Sequence, residues 1–284
     1  MAINPISSSG LFSVLRQIDL QSTRIVRSAE RLASGLRINR AADDPAGISR
    51  AARFLSQIGG VNAAATNAQT GISMVQSAEG GLTEAQDLID DIKNQAIAIQ
   101  DATLTSSERL AINDQVQQDW SGIQDIFNTT KFNTQLLLQG GSKTLQTGPD
   151  AGQTVTVTLP DVPTILSSLS TQVSSFDTTV TADPTNTAAI QAAGGTLETQ
   201  ANTSSGDVSV EVSAVGAVQN RLQAIVGTLN AMSDATNGAL SIIRDADVAA
   251  ETVALSTAQV RLQAGIAMLV QFNIQAQQVL KLLE

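Results

Sequence analysis

The C-terminal stretch of the sequence, residues 247–284, limits most strongly what this chain can fold into. Apolar and small residues recur there at a stride of seven, and a second set follows three residues behind: Leu255, Leu262, Leu269, Ala276 and Leu283, with Ala258, Gly265, Phe272 and Val279. This a/d pattern predicts a helix packed along its length against another helix. Its other faces carry Ile266, Met268, Val270, Ile274, Leu280 and Leu282. Because a helix that is apolar all round must be buried all round, it needs neighbours on every side.

Three environments could bury such a helix: the core of its own domain, a membrane, or neighbouring copies of the same protein. At about 1.5 Å per residue it would be roughly 55 Å long, which is too long for the core of one compact domain. A membrane would accept the uncharged run 262–280, but that run holds six side-chain amides, which are costly in lipid: Gln263, Gln271, Asn273, Gln275, Gln277 and Gln278. We therefore expect no membrane insertion, and a helix buried among copies of the same protein.

The composition argues against an enzyme. The 284 residues include no cysteine, histidine or tyrosine. Disulfides and thiolate chemistry are therefore impossible, and the commonest general base and metal ligand is missing. Neither a Gly-x-Ser-x-Gly elbow nor a phosphate-binding Gly-Lys-Ser/Thr loop occurs. We expect no catalytic site, no cofactor and no metal.

Charge is distributed unevenly along the chain. Residues 1–53 carry eight arginines against four acidic residues, a net charge of +4, which leaves −14 for the rest of a chain whose total is −10. An arginine-rich start could bind nucleic acid, but the segment has one aromatic residue, Phe12, and its arginines lie among acidic residues. A solvated or inter-subunit helix face is favoured, and no nucleic-acid partner is expected. Residues 1–10 lack the basic-then-apolar pattern of a secretory signal, so if the protein leaves the cell we expect it to do so by another route, without a cleaved signal peptide.

The N-terminal segment predicts the partner of the C-terminal helix. Leu11, Ile18, Ile25 and Leu32 repeat every seven residues and predict a long helix over residues 5–34. Gly35 is a predicted stop, since glycine tolerates the left-handed conformation that follows a helix. Asp44 and Pro45 then start a new helix, with the aspartate as N-cap and the proline at the first helical position.

Three further helical regions predict the core of an outer helical domain. A second seven-residue repeat runs from Phe54 to Ala96, a capping box at Thr105–Glu108 opens a third helix, and helical spacing returns over residues 215–232. The residues predicted to form this core are Val75, Leu82, Ile89, Trp120, Leu222 and Leu229. Residues 154–159 alternate threonine with apolar residues and predict a short strand. The remaining residues of the centre, rich in Ser, Thr and Asp and without Lys or Arg between 144 and 220, are predicted to be turns and loop.

The predicted fold class is mainly α: a long antiparallel helical hairpin or coiled-coil bundle, with paired terminal helices and a small irregular or β central region. The predicted segments are residues 1–46 and 244–284 for the paired terminal helices and a connector, and residues 47–139 and 206–243 for the outer helices. Residues 140–205 are predicted to be a variable, surface-exposed centre with short strands.

Three motifs resemble signatures of one family. Residues 30–47 read ERLASGLRINRAADDPAG and resemble the N-terminal signature of bacterial flagellins. Residues 243–252 (IRDADVAAET) and 263–269 (QAGIAML) resemble the C-terminal flagellin signature, and residues 216–222 (GAVQNRL) resemble the family's inner C-terminal helix. The resemblance covers about residues 1–140 and 206–284 and is lost over the centre. The connector signature assigned on this basis comprises Arg31, Leu36, Arg37, Ile38, Asn39, Asp43 and Asp44.

The resemblance implies a structural subunit that self-assembles into the tubular flagellar filament used for swimming. It implies an extracellular homopolymer, exported through the flagellum-specific channel and served by an export chaperone, a filament cap and hook-junction proteins. The terminal helices of both ends would form the inner tube, through Leu11, Ile18, Ile25, Leu32, Leu255, Leu262, Leu269, Phe272, Val279 and Leu283. A hook–filament junction protein, which shares the terminal signatures, is the alternative.

Two readings of the connector remain open at this stage. Leu36, Ile38 and Ala42 could pack on their own subunit or contact a neighbouring one. Asp43 and Asp44 suggest a helix cap rather than a metal site, because two adjacent carboxylates without a third ligand are too few for calcium.

One helix carries an implication for host detection. Flagellins that activate the vertebrate innate immune receptor carry a pattern of the form LQRVRELA on the helix equivalent to residues 88–99, whereas this chain has IDDIKNQA at residues 89–96. Asp91 thus stands where the first arginine is expected, and Asn94 and Gln95 replace a glutamate and a leucine. Mismatched charge in an interface is costly, so the resemblance implies weak or absent activation.

Overall fold

The computed structural model describes the backbone of residues 6–281 and, within that span, the side chains except those of residues 6–9, 276 and 279–281. The chain divides into two compact units. The terminal unit comprises the residues up to Ile58 and those from Asp234 onwards, and the central unit comprises Gly59–Ser233.

The terminal unit contains two helices that pair. Helix α1 spans Ile6–Ser34 and α7 spans Val248–Lys281. As predicted, α1 stops at Gly35, which adopts a φ of +69°. Helix α2 (Pro45–Ala98) then begins at the predicted cap, where the Asp44 carboxylate accepts a hydrogen bond from the Gly47 backbone N–H at 2.8 Å.

Backbone hydrogen bonds join the two ends of the chain where α1 finishes and α7 begins. The Arg37 N–H donates to the Arg244 carbonyl at 2.7 Å, and the Ala246 N–H donates to the Gly35 carbonyl at 2.9 Å. A bridge between Leu36 and Asp245 is antiparallel. These bonds hold the start of α7 beside the end of α1, so the two helices run antiparallel.

The central unit is built on an antiparallel helix pair. Helix α6 spans Thr187–Arg244, and side chains along it bond to α2 in reverse order. Lys93 Nζ donates to Asn202 Oδ1 at 2.9 Å, and Ser233 Oγ donates to Asn62 Oδ1 at 3.2 Å. The predicted fold class, mainly α with long antiparallel helices and few strands, is therefore confirmed.

A second antiparallel helix pair lies in the same unit. Helix α3 spans Ser106–Thr129 and begins with the predicted capping box, in which Thr105 and Glu108 bond reciprocally. A short helix α4 (Val162–Ile165) leads into α5 (Ser167–Ala182). The Asn113 amide of α3 donates to Asp177 of α5 at 2.8 Å.

Two small hairpins connect α3 to α4. Strands β1 (Lys131–Phe132) and β2 (Gln135–Leu136) form the first, and β3 (Ser142–Gln146) and β4 (Thr154–Thr158) form the second. The second hairpin is antiparallel with Thr144 opposite Thr156. The predicted strand is thus present as β4, and its alternation has the predicted effect because Val155 and Val157 are buried while the threonines are exposed.

The prediction of turns and loop over the rest of residues 140–205 is wrong. Helix α5 and the start of α6 occupy much of this region, and their apolar residues are buried in the core rather than surface-exposed: Leu169, Val173, Phe176, Val180, Ile190 and Leu197. These residues recur at helical spacing. The many Ser and Thr hydroxyls, which suggested loop, bond to carbonyls one turn back, as Thr178 does to Ser174 at 2.9 Å. Tertiary burial therefore outweighs their weak helix propensity.

The residues predicted as outer core lie inside the central unit. Val75, Leu82, Ile89 and Leu222 are at most 1% exposed, and Trp120 and Leu229 are also buried. Trp120 belongs to the main apolar cluster with α2 and α5 residues, whereas Leu229 packs in a smaller cluster with Val61 and Ala64.

A candidate assembly surface

The contact between α1 and α7 is here called the seam. The structure places every described residue of the predicted inner-tube set on it, each half-buried: Leu11, Ile18, Ile25, Leu32, Leu255, Leu262, Leu269 and Phe272. Ala258, which belongs to the same seven-residue stride as Gly265 and Phe272, is 4% exposed. The side chain of Val279 is not described, and Leu283 lies outside the described residues.

Small residues let the two helices approach closely along the seam. A Cβ placed on Gly265 would lie 3.1 Å from Cγ1 of Ile18. Further along, a Cβ on Gly10 would lie 3.8 Å from Cζ of Phe272. At Gly265 the approach is closer than an ordinary side-chain contact, so glycine takes the place of a larger a/d side chain there, whereas the distance at Gly10 is an ordinary van der Waals contact.

Glu251 links the two helices near the start of α7. Its Oε1 accepts a hydrogen bond from Nη1 of Arg31 at 2.8 Å, and its Oε2 accepts one from Oγ of Ser28 at 2.9 Å. The Arg31 hydrogen bond is the main cause that lowers the pKa of Glu251 below its ordinary value. The carboxylate is therefore held ionised and fixes α1 against α7.

The connector after α1 is held by its own carboxylates. Glu30 Oε1 accepts from Nε of Arg40 at 2.8 Å and from Nδ2 of Asn39 at 3.0 Å. Asp43 Oδ2 accepts from the Arg40 backbone N–H at 3.0 Å, and this bond is the largest cause of its lowered pKa. The second carboxylate of the signature, Asp44, is the N-cap of α2.

The remaining connector residues contact their own subunit. Ile38 is 3% exposed and Leu36 is half-buried, while Nη2 of Arg37 donates to the Ile243 carbonyl at 2.7 Å. No group of three or more His, Cys, Asp or Glu that could hold a metal occurs among the described residues. The connector thus packs on its own chain, and a further contact with a neighbouring subunit stays a prediction.

The face of α7 that points away from the seam is apolar and open. Val253 and Val260 are 66% and 64% exposed, and five further large apolar side chains of this helix are also exposed: Val248, Ile266, Met268, Val270 and Ile274. By length and composition, one segment of the described chain, Val248–Gln275, could cross a membrane, a property shared by helices that are covered by protein. A stripe of this extent on a single subunit marks an interaction surface.

The helix compared with the immune-receptor pattern is intact. Ile89, Ile92 and Ala96 are fully buried, whereas Asp91 and Asn94 are exposed. Gln95 is half-buried, and its Nε2 donates to Asp119 Oδ2 at 2.6 Å. Gln95 is therefore tied to its own subunit, and Asp91 and Asn94 are the accessible departures.

Sequence reasoning missed two polar residues of the seam. Gln21 and Ser28 are both buried there. They fall at strides of seven after Val14, in the same register as the apolar residues, so the heptad itself was the signal that could have found them.

The fold and this surface define a class of protein: an α-helical subunit whose paired terminal helices leave one apolar face for other chains to cover. Comparison with known proteins gives the family. The model for the bacterial flagellin N-terminal helical region matches residues 11–143, and that for the C-terminal helical region matches residues 196–283. The chain belongs to the bacterial flagellin family, and it is a structural subunit of the flagellar filament.

Individual relatives agree with the family assignment. A flagellin from Halalkalibacterium halodurans is 37% identical over 259 residues, which cover 90% of this chain and 91% of that protein. A flagellin from Bacillus subtilis is 30% identical over 295 residues, which cover 95% and 96%. Among solved structures, a chain described as a flagellar hook-associated protein from Vibrio parahaemolyticus matches with a TM-score of 0.64 over 71% of this chain and 99% of that one. At 12% identity this last match shows the fold alone.

Proposed function

We propose that the chain polymerises through the open face of α7, which neighbouring copies cover in the filament, while the seam holds α7 to its own α1. Membership of the flagellin family implies polymerisation into an extracellular filament. The observation that carries the assignment of the surface is the exposure of Val253 and Val260 at about two thirds each, on a helix that the family model covers.

The energetics support this assignment. Covering a large apolar side chain that was exposed contributes roughly 1.5–3 kcal/mol. Seven such side chains are exposed among those that the structure describes on α7, so a neighbour that covers only some of them gains enough to offset the loss of freedom on association. In a helical array the same gain recurs at every subunit.

Seeded assembly viewed by negative-stain microscopy tests the proposal. Wild-type monomer should grow long tubular filaments, and Val260→Asp should abolish them because a carboxylate would be buried without a partner. Val210→Asp, the same substitution at an exposed valine of α6, is the matched control and should polymerise normally. Normal filaments from Val260→Asp would contradict the proposal.

The same experiment separates the alternative function. A hook–filament junction protein should give short caps or no assembly from the wild-type monomer. The relatives favour the filament subunit, since the flagellins from Halalkalibacterium halodurans and Bacillus subtilis match over most of the chain, and the hook-associated likeness supports only a common fold.

The finer partners are also part of the proposal. We infer that the monomer is carried by a flagellar export chaperone, passes the flagellum-specific channel without a cleaved signal peptide, and meets the filament cap and hook-junction proteins during assembly. No catalytic activity is proposed. Deletion of flagellum-specific export, with the chain then retained inside the cell, would test the route directly.

We further propose that the subunit activates the vertebrate innate immune receptor weakly or not at all. The support is local: Asp91 and Asn94 are exposed at the positions where the activating pattern carries an arginine and a glutamate. A receptor surface that accepts an arginine would meet a carboxylate, and like-charge or mismatched contacts cost several kcal/mol.

A further inference from the structure

A positively charged groove runs along one flank of the α1–α7 pair. It has a volume of about 400 Å³, and its charged lining consists of Arg24, Arg27, Arg31, Arg261 and Glu251. Arg31 is paired with Glu251. Within the described part of the chain, the side chains of Arg24, Arg27 and Arg261 make neither a hydrogen bond nor an ion pair. The groove therefore holds three guanidinium groups without a direct side-chain partner, and of these Arg27 lies within electrostatic range of Asp43.

Two buried polar atoms of the groove are also without partners. Gln21 is 5% exposed, and its Oε1 accepts no hydrogen bond. The Nε of Arg31 is buried and donates to no atom. Because an unsatisfied buried polar group is costly, the groove is incomplete in the single subunit. The Arg31 Nε and the arginine side chains of the groove are donors, which match a carboxylate of a partner, whereas the Gln21 Oε1 is an acceptor and needs a donor instead.

The opposite flank of α1 carries such a carboxylate. Arg24 immediately precedes the seam residue Ile25, whereas Asp19 immediately follows the seam residue Ile18. Because successive residues of a helix are rotated by about 100°, the two lie on opposite sides of the seam. Arg31 likewise immediately precedes the seam residue Leu32, and Phe12 immediately follows the seam residue Leu11. Arg31 therefore lies on the flank of Arg24, and Phe12 lies on the flank of Asp19.

Asp19 is the unpaired acid of the helix pair. Of the acidic side chains that the structure describes on α1 and α7, Glu30 bonds to Arg40 and Glu251 bonds to Arg31, whereas Asp19 has no ion pair or side-chain hydrogen bond. It lies in an open groove of about 700 Å³ beside Phe12, Leu15 and Arg16. Phe12 is 63% exposed there, so this flank offers an apolar contact as well as a charge.

We propose that Asp19 of one copy pairs with Arg24 and Arg27 in the groove of a second copy. This inference rests on the proposed polymerisation and names a specific ionic contact within it. Asp19 and Arg24 lie on opposite flanks of one helix, so the interface is heterologous, and repetition of a heterologous contact that does not close gives an open helical array. Arginine suits the role because its planar group binds a carboxylate through paired hydrogen bonds.

Charge reversal tests the pairing of Asp19 with Arg24 and Arg27. The quantity measured is the critical concentration for seeded assembly of the full chain, obtained by sedimentation. Arg24→Glu with Arg27→Glu, and separately Asp19→Lys, should each raise it by about tenfold or more, since like charges would then face each other. A chain that carries all three changes, and a 1:1 mixture of the two reversed chains, should recover towards the wild-type value. Added sodium chloride should raise the critical concentration of the wild type, because salt screens exposed ion pairs. The difference in critical concentration between the wild type and the charge-reversed variants should therefore become smaller.

The controls separate this contact from general charge and from folding. Arg50→Glu with Arg53→Glu reverses two exposed arginines of α2 outside the groove and should leave the critical concentration unchanged. Thermal unfolding of the central unit should be the same in all variants. Three results would each overturn the pairing. The groove variant or the Asp19 variant could assemble at the wild-type critical concentration, or the control variant could raise that concentration equally. The third such result is that neither the triple variant nor the 1:1 mixture recovers towards the wild-type critical concentration. Failure of the wild-type chain to assemble would instead contradict the proposed function.

Discussion

Arg31 and Glu251 lie 220 residues apart in the sequence, and Nη1 of the arginine donates to Oε1 of the glutamate at 2.8 Å. Ser28, one turn before Arg31, bonds to the other carboxylate oxygen. A single carboxylate near the start of α7 therefore contacts two successive turns of α1. This contact, more than the apolar seam residues, fixes the register of the two helices, since heptad positions alone permit slippage by seven residues.

The first prediction concerns the pH dependence of this contact. The pKa of Glu251 is lowered from 4.5, so its stabilising contribution is complete above about pH 4.5 and is lost as the pH falls through the folded-state value. Glu251→Gln keeps the size of the side chain. In filaments of this variant at about pH 6, the amides of α7 should be less protected from hydrogen exchange than in the wild type. On acidification, their protection should fall by less than it does in the wild type. Glu30→Gln, which removes a carboxylate that bonds within the connector, is the control. Equal acid sensitivity of Glu251→Gln and the wild type would refute the prediction.

The second prediction concerns the seam. Leu269→Asp and Phe272→Asp should each abolish filaments, because an unpaired buried carboxylate costs several kcal/mol and the lattice repeats that cost in every subunit. The central unit should unfold at the wild-type temperature, since both residues belong to the terminal unit. Seeded assembly and thermal unfolding measure the two effects. Filaments of normal length from either variant would show that these residues are not buried in the polymer.

The third prediction concerns the central unit alone. Thr105→Ala removes the side-chain half of the capping box at the start of α3, and loss of such a cap destabilises by about 1 kcal/mol. The unfolding temperature should therefore fall by roughly 2–4 °C. Ser175→Ala, on an exposed face of α5, should leave it nearly unchanged. An equal fall in both variants would indicate that the capping box contributes nothing specific.

The fourth prediction concerns host detection. In a receptor-reporter assay, the wild-type monomer should activate weakly or not at all, and Asp91→Arg with Asn94→Glu should gain activation. Both residues are exposed and Ile89 and Ile92 remain buried, so the exchange should not disturb the helix. Strong activation by the wild-type chain, comparable with an enteric flagellin, would refute the charge argument.

The sequence was informative where apolar residues recur without interruption. The strides that include Leu262 and Ile18 predicted both terminal helices and their seam, and Gly35 and Asp44 predicted where the first helix ends and the next begins. These features depend on local spacing and capping, which a single sequence records directly.

Other features depended on contacts that spacing does not record. The apolar stripe of α5, including Val173 and Phe176, is diluted by Ser and Thr whose hydroxyls bond within the helix, so composition suggested loop. Arg109 is 3% exposed, and its Nη2 bonds to Thr187 Oγ1 at 2.9 Å across 78 residues. The two flanks of α1 become meaningful only once Glu251 shows which face of α1 meets α7.

Hydrogen exchange of the dilute monomer and of the assembled filament tests the central claim most directly. The claim is that the pair of α1 and α7 gains most of its stability from other copies. Ordering each residue costs roughly 1–2 kcal/mol of backbone entropy, and the open face of α7, with Val253 and Val260, gains nothing until it is covered. We predict weak protection of amides 248–275 in the monomer and strong protection in the filament. Strong protection already present in dilute monomer, unchanged on assembly, would contradict it.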